Sequence, residues 1–193
     1  MMAMDGCHIC ADNETQDRNE DVWAVARLRT GYVRLNPNQY FPGSCFFLAR
    51  ECVHELHQLP RSTRLLHLEE MAEVAAAIFE AFDPRKMNYE ALGNGAPHLH
   101  WWLTPRYVSD PRPRGPIWED LEFLRAQWTE SSRPTEAERE ERCARVLAAL
   151  RSRPVTIEEP GADHSTVPEG PDLPDLADQV DRPLTGRGQV EGA

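Results

Sequence analysis

Gly93-Asn94-Gly95-Ala96-Pro97-His98-Leu99-His100-Trp101-Trp102-Leu103-Thr104-Pro105-Arg106 decides how the chain is read. A turn-prone Gly/Asn/Pro loop leads into a run in which His98, His100 and Trp102 alternate with Leu99, Trp101 and Leu103. Side chains at i, i+2 and i+4 of a strand share a face, so the run predicts a half-buried strand. Two imidazoles and an indole would line one wall, and the apolar set would turn into the core. Pro105 is expected to end the ladder, because it has no N–H to donate. Taken alone, the pair also fits two polar positions on the solvent face of such a strand.

Upstream of the loop, Lys86 to Leu92 is a second strand candidate. Before it, Leu65, Leu66, Leu68, Met71, Val74, Ala75, Ile78, Phe79 and Phe82 recur at three- and four-residue steps. That period predicts a long helix, capped by Ser62 or Thr63 and stopped at Asp83-Pro84. Its apolar stripe reads as core packing against a sheet, with His67 a helix-surface residue. Val22–Leu28 and Tyr32–Asn36 read as a hairpin around Thr30-Gly31, Cys45–Ala49 as a short central strand, and 53–58 as a helical turn. Residues 1–21 read as a polar arm around Cys7 and Cys10. Antiparallel strands with an inserted helix give an α+β domain, a mostly antiparallel sheet with one long packed helix.

Downstream, Ser109 to Pro116 is an extended Pro/Arg connector. Its Arg112 and Arg114 fit either a phosphate contact or a solvated loop. Trp118–Trp128 and Glu136–Arg151 follow as two helices, expected to form an appendage on the domain's edge. From Pro154 the composition is Pro, Gly and acid, which predicts a disordered tail. The organisation is therefore a principal domain over 1–108, a connector and helical extension over 109–153, and a tail over 154–193.

The 193 residues carry a net charge of −11. The tail over 154–193 holds nine acids against Arg182 and Arg187, which accounts for seven of those charges. A phosphate-tracking nucleic-acid surface needs a basic footprint, so a nucleic-acid polymer is not expected as a partner. No apolar run reaches the roughly 18 residues of a membrane span, and no signal-peptide pattern opens the chain, so the expectation is a cytoplasmic protein. Five cysteines suit a disulfide framework poorly. In a reducing compartment Cys7-His8-Ile9-Cys10 reads as a metal or redox pair. The polar, turn-prone Asp12-Asn13-Glu14-Thr15 that follows is not the helix opening a thioredoxin-like dithiol requires.

With these residues in place, the chain resembles the histidine triad superfamily of nucleotide hydrolases and transferases. That pattern is His-x-His-x-His followed by apolar residues and closed here by Pro105-Arg106; His98 and His100 match its first two histidines, and Trp102 stands at the third. The resemblance extends through Asn88 and the stretch from Asn36 to Arg50 to the N-terminal cysteines. It implies a mostly antiparallel sheet with packed helices, commonly a homodimer, acting on a nucleotide or dinucleotide. The middle histidine, His100, would be the nucleophile towards the α-phosphate. A neutral imidazole suits this because it can take up a nucleotidyl group and release it again, provided a fixed acceptor holds one tautomer.

Donors must meet the phosphoryl oxygens, and Asn94 and the backbone of its loop are the candidates. Asn36 matches the position that contacts the ribose in relatives, although an Asn before Pro37 also simply forms a turn. Tyr40 and Phe41 would contact the base or plug the core. Trp102 can donate one hydrogen bond to a phosphate but cannot move a proton. Two functions stay open: a hydrolase or transferase working through nucleotidyl-His100, and a binding module that has lost turnover with the third histidine. Some bacterial relatives hold a structural zinc with a cysteine pair, a histidine after a central strand and the first triad histidine. The matching set is Cys7, Cys10, Cys52 and His98, with Cys52 in the place of that histidine. The competing account leaves Cys52 an ordinary thiol and gives a ligand place to His8, His54 or His57.

Overall fold

The computed structural model describes residues 6–127 and 129–158. Strands β1 (Ala24–Arg27), β2 (Gly31–Leu35), β3 (Cys45–Ala49), β4 (Lys86–Glu90) and β5 (His100–Arg106) form one antiparallel sheet in the order β1-β2-β3-β5-β4. Helices are α1 (His8–Asp17), α2 (Arg61–Phe82), α3 (Leu121–Ala126) and α4 (Glu136–Leu150). The α+β class and the inserted long helix are as the sequence predicts.

Alternation along the strands sorts the two faces of the sheet. One face, with Val33, Leu35, Phe47 and Leu103, packs on Val74, Ala75 and Ile78 of α2 and on Val146 and Leu150 of α4. Each of these large side chains is fully buried, which stabilises by about 1.5–3 kcal/mol apiece. Helix α4 is thus part of the main core rather than an appendage on its edge, because its Val146, Ala149 and Leu150 complete the cover over α2. The opposite face carries the site. Cross-strand register there aligns Arg34, Phe46, Trp102 and Glu90 in one row and Tyr32, Leu48 and His100 in the next.

Several local expectations change. Cys7 caps a ten-residue helix where a polar arm was expected. Tertiary contacts drive this: Ile9 packs on Tyr32 and Leu48, and Asn13 Nδ2 donates to the Ala49 carbonyl at 3.0 Å. Helix α2 begins at Arg61 behind Pro60, not at a Ser62 or Thr63 cap. Strand β5 begins at His100, after a bend at His98, and continues through Pro105 to Arg106. β3 ends opposite Leu103, so Pro105 lies beside a single neighbouring strand, Met87 being its partner, and its missing N–H costs little. The Trp118–Trp128 helix is instead a 3-10 turn at Ile117–Glu119 followed by the short α3. Val155 and Ile157 pack on the main core, and Glu158 pairs with Arg50 at 2.7 Å. The remainder of the expected disordered tail lies outside the described residues. Gly43, at φ +88°, makes the turn before β3; a Cβ there would lie 2.5 Å from the Phe82 ring.

His67 is the largest departure, since it is completely buried. Trp101 Nε1–H donates to its Nε2 at 3.1 Å, so the ring proton sits on Nδ1 and is shared with Thr30 Oγ1 at 3.1 Å. The Thr30 hydroxyl donates in turn to Glu70, which also accepts the Arg29 and Thr30 backbone N–H groups. Burial pushes the His67 pKa down to about 4 from its ordinary 6.5. The folded state then binds fewer protons than the unfolded state between those values, so stability is complete above pH 6.5 and falls as pH drops towards 4. The loss from this ring amounts to about 3 kcal/mol. Glu70, whose pKa burial raises, acts in the opposite direction. Urea unfolding followed from pH 7 to pH 4 should show this decline, and His67→Gln should flatten it.

Candidate functional site

His100 opens β5, and its Nδ1 lies 2.6 Å from the carbonyl oxygen of His98. A carbonyl only accepts, so Nδ1 carries the proton and Nε2 keeps its lone pair. The half-buried ring borders a cavity of about 520 Å³. The sheet supplies its floor through Arg34, Phe46, Leu48, Glu90, His100 and Trp102. Helix α1 contributes His8, Ile9 and Asp12, the loop contributes Gly93 to Ala96, and the extension contributes Trp118 and Gln127. Such a volume suits one small organic ligand.

Trp102 explains why the extension exists where it does. Its ring meets Phe46 edge-on at 5.0 Å between centroids. It also packs against Phe41, Ile117 and Phe123, the small cluster that fastens the extension to the sheet. An imidazole at this position would reach fewer of those carbons. Tyr40 and Phe41 belong to that same cluster, and the Tyr40 hydroxyl donates to Asp120 at 3.3 Å, so they plug the core rather than border the cavity.

Asn94 stands on the cavity wall. Asn36 does not: it is buried in the turn after β2, where its Oδ1 accepts the Asn38 N–H at 2.9 Å. The turn-forming alternative accounts for that placement. Arg34, two residues earlier, is the β2 side chain that reaches the cavity, tied to Asp21 at 2.6 Å and to Asp12 at 3.8 Å. Arg112 lies in an exposed pair with Glu119 at 3.8 Å, in keeping with a solvated connector. Glu90 was missed by the sequence reading; the period-two pattern puts it on one face with Asn88, but its register opposite Trp102 is tertiary information.

Beside the cavity, Cys7, Cys10, Cys52 and His98 bring four ligand atoms within 4.8 Å of one another. The sulfurs of Cys7 and Cys10 lie 3.4 and 3.6 Å from His98 Nδ1. His98 Nε2 sits 2.8 Å from the Ala49 carbonyl and therefore carries its proton, which turns the Nδ1 lone pair towards the sulfurs. Burial also lowers the pKa of His98, which favours the neutral ring that a metal ligand requires. Burial and the adjacent Cys52 and Cys7 push the Cys10 thiol far above its ordinary range, a penalty that a bound dication would remove. These donors, their number and their orientation are compatible with zinc.

No protein-family model matches the chain, and no curated protein does. Solved structures match well. A histidine triad protein from Marinobacter aquaeolei is 25% identical, with a TM-score of 0.57 over 67% of this chain and 88% of that one. A hypothetical histidine triad nucleotide-binding protein from Sulfolobus tokodaii gives 0.56 at 12% identity, covering 76% and 93% of the two chains. A zinc-bound histidine triad family protein from Mycobacterium smegmatis gives 0.54 at 17% identity, over 76% and 94%. With its five-stranded sheet, its long α2 and His98-Leu99-His100 at the head of β5, the chain has the fold of the histidine triad proteins.

Proposed function

We propose that the chain is a nucleotide hydrolase or nucleotidyl transferase that works through a nucleotidyl-His100 intermediate. The observation that carries this reading is the His98 carbonyl at 2.6 Å from His100 Nδ1, which fixes the tautomer with a nucleophilic Nε2. Nε2 attacks the α-phosphorus of a bound nucleotide and displaces the group on its far side; water or another acceptor then takes the nucleotidyl group. Asn94 and the backbone of its loop meet the phosphoryl oxygens, and the apolar Ile9, Phe46 and Leu48 offer the base a surface. Dinucleoside polyphosphates and nucleoside phosphoramidates are the substrate class. The second reading, a nucleotide-binding module without turnover, is favoured by one feature: the packed indole of Trp102 stands where relatives carry a third histidine.

Cys7, Cys10, Cys52 and His98 would hold one structural zinc. The ion supplies cross-linking charge neutralisation between α1, the end of β3 and the approach to β5. Four protein donors leave no position for substrate, so its contribution is to stability and to the cavity wall that α1 carries. A homodimer is proposed through the edge strand β4, which has an exposed Tyr89 on it and Phe79 of α2 nearby. Among the described residues no helix is long and apolar enough to cross a membrane, and none of the five cysteines is in a disulfide. Both fit a cytoplasmic protein.

His100→Ala should abolish turnover across a panel of adenosine polyphosphates and phosphoramidates while thermal unfolding stays near wild type. A wild type that binds nucleotide but turns over nothing in the panel would select the binding module. Elemental analysis should return about one zinc per chain, weakened or lost in Cys52→Ala together with a lowered Tm. Retention of zinc at full occupancy by that variant would remove Cys52 from the ligand set. Trp102→His should lower stability by about 1–3 kcal/mol in urea, since it opens space between Phe46 and the Phe41 cluster.

A further inference from the structure

Nucleotidyl transfer to His100 expels an alcohol, phosphate or amine, and basic leaving groups of this kind depart only with a proton. Trp102 has no proton to give at ordinary pH, and His100 is occupied as the nucleophile. A donor must therefore come from elsewhere on the wall. Arg34 is permanently charged and bound to Asp21, with Asp12 drawn into the same pair. His8 lines the cavity from α1, and Glu90 is the titratable lining residue on the two strands that adjoin β5.

The register places Glu90 directly opposite Trp102, and His100 is two residues along the same strand and face. Such diagonal neighbours have Cα atoms about 7–8 Å apart, close enough for a bound phosphoryl group to touch both side chains. An in-line displacement puts the attacking and departing atoms on opposite sides of phosphorus, so a nucleophile and an acid on adjoining strands are suitably separated. Glu90 lines the cavity, and among the described residues its Oε2 is buried without a hydrogen-bond partner. A carboxylate oxygen left so is costly, whereas a carboxylic O–H can be satisfied by a ligand.

We propose that Glu90 is the proton-transfer residue of this site, an inference that rests on the nucleotidyl-His100 reading above. In the first step the Nε2 lone pair forms the N–P bond. The bond from phosphorus to the leaving atom breaks with its electron pair on that atom, which takes the Glu90 proton. In the second step the Glu90 carboxylate removes a proton from water as its oxygen bonds to phosphorus, and the N–P electron pair returns to Nε2. Both residues end as they began.

Burial raises the pKa of Glu90, and Arg106 partly opposes it. Arg106 is itself committed to Asp110 at 2.8 Å and to the carbonyls of Gly115 and Arg112, so it does not neutralise Glu90 by direct pairing. The other charged or titratable groups facing the cavity are Arg34, Asp12, His8 and His100. Because the acid form is required first, the rate on a basic leaving group should fall as pH rises through the raised carboxyl pKa.

The test compares single turnovers, enzyme in excess, of adenosine 5′-(n-propyl phosphoramidate) and adenosine 5′-(p-nitrophenyl phosphate). Release of p-nitrophenolate needs little protonation; release of propylamine needs a proton. Glu90→Gln should slow propylamine release by about 10²-fold or more, at least tenfold beyond its effect on p-nitrophenol, and should erase the alkaline limb of the propylamine profile. Both substrates are read on one preparation, so a reduced folded fraction cancels from the ratio. Equal losses on the two substrates, or a retained alkaline limb, would overturn the role of Glu90 while His100→Ala, inactive on both, still upheld the nucleotidyl intermediate. Release by His100→Ala at the wild-type rate would instead overturn that intermediate, and the role of Glu90 with it.

Discussion

The His98 ring and backbone are engaged at three points, and the site depends on all of them. Ring Nε2–H donates to Ala49 at the end of β3, Nδ1 meets the sulfurs at the start of α1, and the carbonyl oxygen accepts from His100. One side chain thus joins the central strand, the N-terminal helix and the bend that leads into β5. The same bend aims its carbonyl at the neighbouring imidazole, so the tautomer of His100 is set by backbone geometry that the cysteine cluster helps to hold. Removing the ring would therefore disturb both the position of α1 and the His100 imidazole, although His98 itself does not border the cavity with α1. Buried interactions of this kind are strong because each polar atom is satisfied and none is exchanged with water.

A second buried network supports the strand from behind. Trp101 turns away from His100 and donates to His67, which continues through Thr30 to Glu70 on the same helix. Adjacent residues of β5 hence serve opposite faces: His100 and Trp102 form the site, while Trp101 fixes the height of the strand over α2. The stack of Phe47 on the His67 ring, with centroids 4.7 Å apart, closes the layer. Substitutions at Trp101 or His67 would reach the site through the strand's position without touching ligand.

Much of this was legible in the chain because it is local. Alternation from His98 to Leu103 identified the strand and its two faces, the helical period identified α2, and the Cys7/Cys10 spacing singled out a metal or redox pair. What the sequence did not give up is tertiary. α1 has weak helical character of its own and forms because Ile9 and Asn13 find partners on β2 and β3. His67 looked like a surface residue because nothing local announces Trp101 and Thr30 as its partners. Asn36 matched the ribose position only by resemblance, and its side chain is engaged in the turn. Cys52 entered through the resemblance and not through any local pattern, and Glu90 depended on register, since it faces Trp102 only once β4 is placed beside β5.

Charge is the remaining constraint on the site. Of the described residues lining the cavity, Arg34 alone has a fixed positive charge, and Asp12 and Asp21 both offset it. A polyphosphate chain brings several negative charges, each of which needs a cation or an oriented donor when water is excluded. The wall supplies one compensated guanidinium, an Asn94 amide, backbone N–H groups and the Glu90 carboxyl. That inventory can satisfy one phosphoryl group far more readily than a row of them. Within the proposed reading it favours a substrate whose scissile phosphorus carries an amine or a single further group.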